Sequence, residues 1–379
     1  TQQVAMAKKI FEAIFNYTSV IIEAGTGSGK SLAYLIPIVM TDQKVVVSTG
    51  TIALQEQLLH KDIPFLANVI DPDLSYALAK GRSHYLCKQR FYDTVKTIVP
   101  NTIEADYIKK IELELLKNWS GDNAELEFAV PYHVWAEVNS NKEDCIGNRC
   151  QFFHSCPFRL HRAQLAETQI IVANHSLYFS DISYGGAILP PHDFVVFDEA
   201  HQLKHIATKS FTVNIGRMAS TKLLQKIEKR ITFIPDRIKG KILKNETEIM
   251  AWLFNKDKAS LRLFPDSDFY NLVAEQIGTL MYLRSWLNET EVEQLNLIED
   301  EKLKKMTHKD LLLSQTNGLI SRWEYFLDRE VNNKTDVRVN WADIKKEKLS
   351  FELNSAPIAV EEILTEHLWE KRTAILTSA

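Results

Sequence analysis

The sequence predicts an α/β fold built on a mainly parallel sheet. Three observations carry this: short apolar strands without polar alternation, helical stretches between several of them, and a glycine-rich turn between a strand and a helix. VAMAKKIFEAIFNY (4–17) spaces its apolar residues as an amphipathic helix does, and SVIIEA (19–24) reads as a strand covered on both faces. GTGSGK (25–30) then turns the chain into the helical SLAYLIPIVM (31–40). KVVVST (44–49), QIIVAN (169–174), FVVFD (194–198) and TAILTS (373–378) repeat the strand pattern.

Two long stretches interrupt that rhythm. Residues 76–164 hold all four cysteines, and residues 206–340 read as mostly helical, with heptad-like apolar spacing over 260–287 and 308–327. The expected layout is one α/β domain in three pieces, 1–75, 165–205 and 341–379, carrying insertions at 76–164 and 206–340. No internal repeat or low-complexity run is present. The seven tryptophans fall mostly in the predicted helices of the insertions, where core packing is their default.

Composition bounds the function. The chain has 379 residues, 45% hydrophobic and 25% charged, with net charge -4, which is globular material for two or three domains. The mild acidity argues against a protein that coats nucleic acid, but leaves local basic stripes open. No apolar run approaches bilayer length and nothing at the N-terminus reads as a signal peptide, so no membrane partner is expected. Four cysteines over this length do not suggest a disulfide scaffold, and a cytoplasmic setting fits. The chain starts at Thr1 inside a helical pattern and stops at LTSA (376–379) straight after an apolar run, which suggests a fragment cut at both ends.

EAGTGSGKS (23–31) sits in the strand-to-helix context that a phosphate loop requires. Ala24 stands where the strict pattern has glycine, and Gly25, Thr26, Gly27, Ser28 and Gly29 lead to Lys30 and Ser31. Glycines let backbone N–H groups turn inward around a phosphate, and the following helix N-terminus favours the anion. Lys30 would neutralise the β/γ oxygens of ATP, and Ser31 would hold Mg²⁺. VVFDEAH (195–201) ends a strand in adjacent carboxylates: Asp198 can reach the metal and Glu199 can activate a water against the γ-phosphate. Alone, such a pair could be a solvated loop or a helix cap; following a phosphate loop, it points to a nucleotide site.

The cysteines are Cys87, Cys145, Cys150 and Cys156. Four thiolates are what a [4Fe–4S] cluster needs, and the tight C-x2-C pairs of zinc knuckles are missing. Structural zinc, unligated buried cysteines and a redox disulfide stay open. No acid occurs from Leu74 to Tyr92 or from Cys145 to Ala166. Lys80, Arg82, Lys88 and Arg90 stand there among Tyr85, Phe91 and Tyr92; Arg149, Arg159 and Arg162 stand among Phe152, Phe153 and Phe158. Basic residues interleaved with aromatics suit a groove that follows phosphates and stacks unpaired bases; equally, the charge could steady an anionic cluster while the rings pack a small core. Thr49 and Thr51 could donate to DNA phosphates or cap the helix that begins near Ile52, and Asn174 before His175 reads as a turn residue.

AGTGSGKS (24–31), DEAH (198–201) and LTSA (376–379) resemble motifs I, II and the start of III of superfamily 2 helicases, and STGTIALQEQL (48–58) resembles motif Ia. KGRSHYLC (80–87), CIGNRCQFFHSC (145–156), VANHSL (172–177) and FDEAHQL (197–203), in that order, resemble the iron–sulfur branch that includes XPD and the bacterial DinG/YoaA helicases. The resemblance covers most of the chain; 206–340 matches only by position and helical character, where that branch has a helical arch. It implies a RecA-like P-loop motor domain with an iron–sulfur insertion and an arch insertion, the second motor domain being absent. An arginine finger from that domain can be worth about 10³ to 10⁵ in rate, so the chain alone is expected to hydrolyse ATP poorly.

On the same ground Gln3 would read adenine, His201 would couple nucleotide to movement, and Thr377 and Ser378 would link hydrolysis to DNA. Thr49, Thr51, Lys80, Arg82, Tyr85 and Arg149 would contact DNA, and the four cysteines would hold a [4Fe–4S] cluster. The activity implied is ATP-dependent 5′-to-3′ movement on single-stranded DNA and unwinding of forked or partly duplex DNA in repair or replication. A monomer, recruited by a replication or repair protein and nucleoid-associated if bacterial, is expected. The rival readings are a nucleotide- and cluster-binding redox or regulatory module, and a DEAH-type RNA helicase, which would have no use for the cysteines.

Overall fold

The computed structural model describes residues 2–25, 27–186, 188–231, 233–256, 258–263, 267–290, 299–327 and 337–378. The strands, in chain order, are β1 (Val20–Glu23), β2 (Val45–Thr49), β3 (Tyr76–Leu78), β4 (Ile170–Asn174), β5 (Phe194–Asp198), β6 (Val213–Gly216), β7 (Ser260–Leu263), β8 (Arg338–Lys345), β9 (Ser350–Pro357) and β10 (Thr373–Ser378). Contacts divide the chain into two compact units: residues 1–145, 150–211 and 360–379, and residues 146–149 with 212–359.

The first unit is organised by a six-stranded sheet of order β1-β10-β5-β2-β4-β3, with every neighbouring pair parallel. Each of the five expected strands is present within a residue of its predicted ends. The absence of polar alternation has a simple cause: both faces are covered. Val45, Val47, Ile170, Val172, Phe194 and Val196 pack on one side with Ile10, Ile14, Tyr34 and Ile38. Val46, Ile171, Val195 and Phe197 pack on the other with Tyr178, Phe179, Leu203 and Leu368. Because all strands run one way, their C-terminal ends share one edge, which is where open α/β sheets bind ligands.

β3 was not expected. It is short and only half-buried, with a serine before it and an alanine at its centre, so it lacks a strand signature. The sheet therefore runs past residue 75, and the cysteine-bearing insertion begins after β3. That insertion groups with the sheet as one unit, but it has its own small core of Leu86, Phe91, Ile108, Ile111, Val134, Trp135 and Val138. Its helices are Lys88–Thr97, Ile103–Leu116, Tyr132–Val138 and Pro157–Ala166. Gly121 (φ 89°) sits under the last of them, and a Cβ there would lie 2.5 Å from Pro157.

The second unit adds a sheet to the mostly helical expectation. Helices Ala219–Arg230, Asp236–Phe254, Ser267–Glu289 and Glu299–Glu324 are present, around a core that includes Ile242, Leu253, Leu280, Leu312 and Trp323. With them stands a four-stranded antiparallel sheet, β6-β9-β8-β7. SLRL (260–263), expected at the start of a helix, is β7, alternating exposed and half-buried. Residues 341–359, assigned to the motor domain from sequence, carry most of β8 and β9 and belong to this unit, so the boundaries expected at 205/206 and 340/341 fall at 211/212 and 359/360. The helical spacing on either side masked a hairpin whose strands are only eight residues each. Among the described residues no helix is long and apolar enough to cross a membrane.

Candidate active site

The loop after β1 closes on the neighbouring strand: the Ala24 N–H donates to the Ser378 carbonyl at 2.9 Å. Gly27 (φ 76°) and Gly29 (φ 78°) occupy the left-handed region, a conformation that a Cβ would strain. The helix Lys30–Thr41 starts at once, with its free N–H groups towards the loop. Lys30 Nζ reaches back to the Ala24 carbonyl at 3.2 Å and lies 3.7 Å from Glu199 Oε1. Gln3 Nε2 donates to the Gly29 carbonyl at 3.2 Å, so tightly that a Cβ on Gly29 would collide with it. Ser28 Oγ is buried without a hydrogen-bond partner among the described residues, an unused polar atom inside the loop. Thr26 lies outside the described residues.

Asp198 ends β5, between β10 and β2, and is 3% exposed. Thr377 Oγ1 donates to its Oδ1 at 2.9 Å and the Tyr34 hydroxyl to its Oδ2 at 3.2 Å. Burial raises the Asp198 carboxyl above its ordinary range, while those two hydroxyls pull it back. Tyr34 is fully buried beside Asp198 and within reach of Ser31; burial holds its phenol far above the usual value, so it stays a donor. The next residue, Glu199, is left-handed (φ 60°, ψ 48°), a conformation worth about 1–3 kcal/mol of strain in a side-chain-bearing residue. That twist turns one Glu199 oxygen to Lys30 and brings the other to 3.4 Å from His201 Nδ1, which is also 3.0 Å from Ser378 Oγ.

Lys30, Asp198, Glu199, His201, Thr377 and Ser378, six residues drawn from three distant stretches, therefore form one polar network at a single sheet edge. Ser31 and Asp198, joined through Tyr34, would hold Mg²⁺, whose chemistry is to neutralise charge on the phosphates. Two residues that support this network from beneath went unseen in the sequence. Tyr34 lay in a helical run where a tyrosine signals core. His175, passed over beside Asn174, is 1% exposed; its Nδ1 is 2.7 Å from Ser48 Oγ and its Nε2 is 2.9 Å from the Asp198 carbonyl oxygen. Burial lowers its pKa to about 4.

Residues 5–110 match the DEAD/DEAH box helicase family. The chain is 30% identical over 310 residues to the ATP-dependent DNA helicase YoaA of Escherichia coli, covering 79% of this chain and 45% of that protein. It is 34% identical over 227 residues to the ATP-dependent DNA helicase DinG of Photobacterium profundum, covering 55% of this chain and 33% of that one. Among solved structures, an XPD helicase (13% identity) and Xpd4 of S. tokodaii (15% identity) each superpose with a TM-score of 0.50 over 99% of this chain and 57% and 56% of theirs, which fixes the fold as RecA-like. Its first part thus matches the DEAD/DEAH box helicase family, and the chain is similar to helicases of the DinG/YoaA type. It spans less than half the length of the curated relatives it matches.

In this chain the expected DNA contacts are dispersed, and two of them are corrected. Thr49 is fully buried and its hydroxyl donates to the Thr51 carbonyl at 3.3 Å, because it closes β2 rather than lining the surface. Tyr85 is 3% exposed and stacks on His161 at 5.0 Å, so it packs the interior instead of meeting a base. Thr51 caps the helix Ile52–Gln57 by accepting from Leu54 N, and Asn174 caps His175–Ser183 by accepting from Leu177 N at 2.7 Å. Lys80 pairs with Asp122; Arg82 donates to the Asn141 carbonyl at 3.2 Å and lies 4.4 Å from the Phe158 ring. Arg149 is exposed on a short turn. Tyr92 stacks on Phe152 at 5.3 Å and Arg159 covers Phe153 at 3.5 Å, while Phe91 and Phe158 of the same acid-free runs are buried.

The cysteines are all free. Cys87 and Cys156 stand at the N-termini of Lys88–Thr97 and Pro157–Ala166, and neither helix has a side-chain cap there. Burial raises the Cys87 thiol, Arg90 lowers it, and Cys156 and Cys150 raise it again; burial likewise raises Cys150, with smaller upward contributions from Cys156 and Cys145. Cys150 thus interacts with each of the other three thiols, and Cys87 and Cys156 stand at two positive helix ends, a setting suited to an anionic group. As they stand, no group of three or more His, Cys, Asp or Glu among the described residues is arranged to hold a metal ion.

Proposed function

We propose that the protein containing this chain is an ATP-dependent DNA helicase that moves 5′ to 3′ on single-stranded DNA, and that this chain is its first motor domain with an iron–sulfur insertion and a second inserted unit. The observation that carries the reading is the shared network: Thr377 on Asp198 at 2.9 Å, and Ser378 on His201 at 3.0 Å. A change at the γ-phosphate would reach Glu199 and Asp198 and, through these contacts, the strand end at 377–378. Lys30 positions the phosphates, Asp198 and Ser31 hold the metal, and Glu199 orients the attacking water. The four cysteines would hold a [4Fe–4S] cluster and so pin the insertion, and the stacked Tyr92–Phe152 pair with Arg159 offers unpaired strands a surface for bases and phosphates.

Three measurements test this. Lys30→Ala should abolish Mg²⁺-dependent binding of an ATP analogue. Affinity for oligo(dT) should fall with salt, with a log–log slope of about -0.7 per phosphate neutralised. A flat salt response would sink the DNA reading. In the whole protein, unwinding that requires a 3′ overhang rather than a 5′ one would refute the direction.

A further inference from the structure

β5, β2 and β4 are neighbours, and each contributes one group to a buried chain of hydrogen bonds just beneath the network. Ser48, at the end of β2, is fully buried. His175 follows β4, and Asp198 ends β5. The Asp198 carbonyl oxygen can only accept, so His175 Nε2, 2.9 Å away, carries the proton. A neutral imidazole then has a lone pair on Nδ1, and the Ser48 hydroxyl, 2.7 Å away, donates to it. The chain is therefore directional: Ser48 O–H to Nδ1, and Nε2–H to the carbonyl of the peptide that joins Asp198 to the left-handed Glu199. A second contact joins the same two segments. Gln202, just beyond the DEAH residues, lies against Gly50, where a Cβ would meet its Oε1 at 2.7 Å.

We infer that His175 is a positioning residue that ties the turn 48–51 to the 198–199 peptide, so that a load on that turn alters the orientation of the Glu199 carboxylate. His175 does not touch nucleotide or metal; it acts through the peptide it holds. This rests on the helicase reading only in that the turn must be where single-stranded DNA engages.

Two substitutions divide its bonds. Asn can replace Nδ1 but not Nε2; Gln can replace Nε2 but not Nδ1. The quantity measured is the factor by which oligo(dT) changes the affinity of the intact chain for a Mg²⁺-bound, non-hydrolysable ATP analogue. We expect His175→Gln to keep the nucleotide affinity without DNA and to lose coupling by about 2- to 10-fold, the worth of one hydrogen bond. Ser48→Ala should lose the same factor, and combining it with His175→Gln should add no further loss, since both cut one link. His175→Asn should weaken nucleotide binding itself. If all three variants melt earlier but keep wild-type coupling, His175 is only structural and the inference is overturned. If the wild type binds both ligands without coupling, the inference falls while nucleotide and DNA binding stand. Wild type that binds no oligo(dT) overturns the helicase reading and this inference with it.

Discussion

Tyr34→Phe removes a single oxygen from a fully buried side chain and leaves its packing intact. That oxygen is one of two side-chain hydroxyls holding Asp198, at 3.2 Å from Oδ2, and Thr377 Oγ1 is the other. A hydrogen bond to a charged group is worth about 1.5–3 kcal/mol, and each pKa unit about 1.4 kcal/mol. Burial already raises the Asp198 carboxyl, so losing one donor should raise it further. Only an ionised carboxylate would hold Mg²⁺. The pH below which Mg²⁺ ceases to strengthen binding of a fluorescent ATP analogue should therefore move up, while metal-independent binding through Lys30 changes little. An unshifted midpoint would refute the assignment of Tyr34 and Thr377 as the groups that keep Asp198 charged.

Other outcomes follow from single features. Glu199→Gly relieves the left-handed conformation and should leave urea stability equal or higher by up to about 1 kcal/mol while ending hydrolysis in the whole protein; a clear loss of stability would argue against stored strain. Gly121→Ala drives a Cβ to 2.5 Å from Pro157, next to Cys156, and should lower both the melting temperature and the iron content of anaerobically purified protein; unchanged iron would separate that contact from the cysteines. Cys150→Ser should lose iron and keep ATP-analogue binding, because the insertion and the phosphate loop have separate cores. Burial lowers His192 to about 4, below its unfolded value near 6.5. The unfolded chain thus takes up the proton first as pH falls, and stability should drop from about pH 6.5 towards pH 4 by about 3 kcal/mol from this residue. His192→Gln should flatten that slope; an equally steep loss would exclude His192 as its source.

The sheet and the nucleotide loop were legible because their signals are local. GTGSGK between a strand and a helix, and an apolar strand ending in Asp-Glu, state their chemistry within a few residues. The network was only half legible. The sequence pointed to Lys30, Asp198, Glu199, His201, Thr377 and Ser378, yet the further hydroxyls and the ring that bear on their charges and angles come from Tyr34, Ser48 and His175. These residues look like core or turn until strand order brings them together. Thr49 and Tyr85 erred the other way: exposure cannot be read from residue type, and both turned inward. The antiparallel sheet of the second unit was missed because two of its three pairings join distant strands with helices between them, as in Val213 opposite Ser355, 142 residues apart.

β6 and β9 lie side by side in antiparallel pairing. Opposed residues in such a pair have Cα atoms only about 4.5–5.5 Å apart. The polypeptide leaving at Phe211 and the one returning at Val360 are therefore zipped together just beyond the junction, however long the excursion between them. Such a detour can lengthen, shorten or be exchanged without pulling on the six parallel strands. A graft that swaps residues 212–359 for a few glycines and serines is thus a practical route to a minimal ATP-binding core, and the excised piece, closed at its own base, is a candidate to fold by itself.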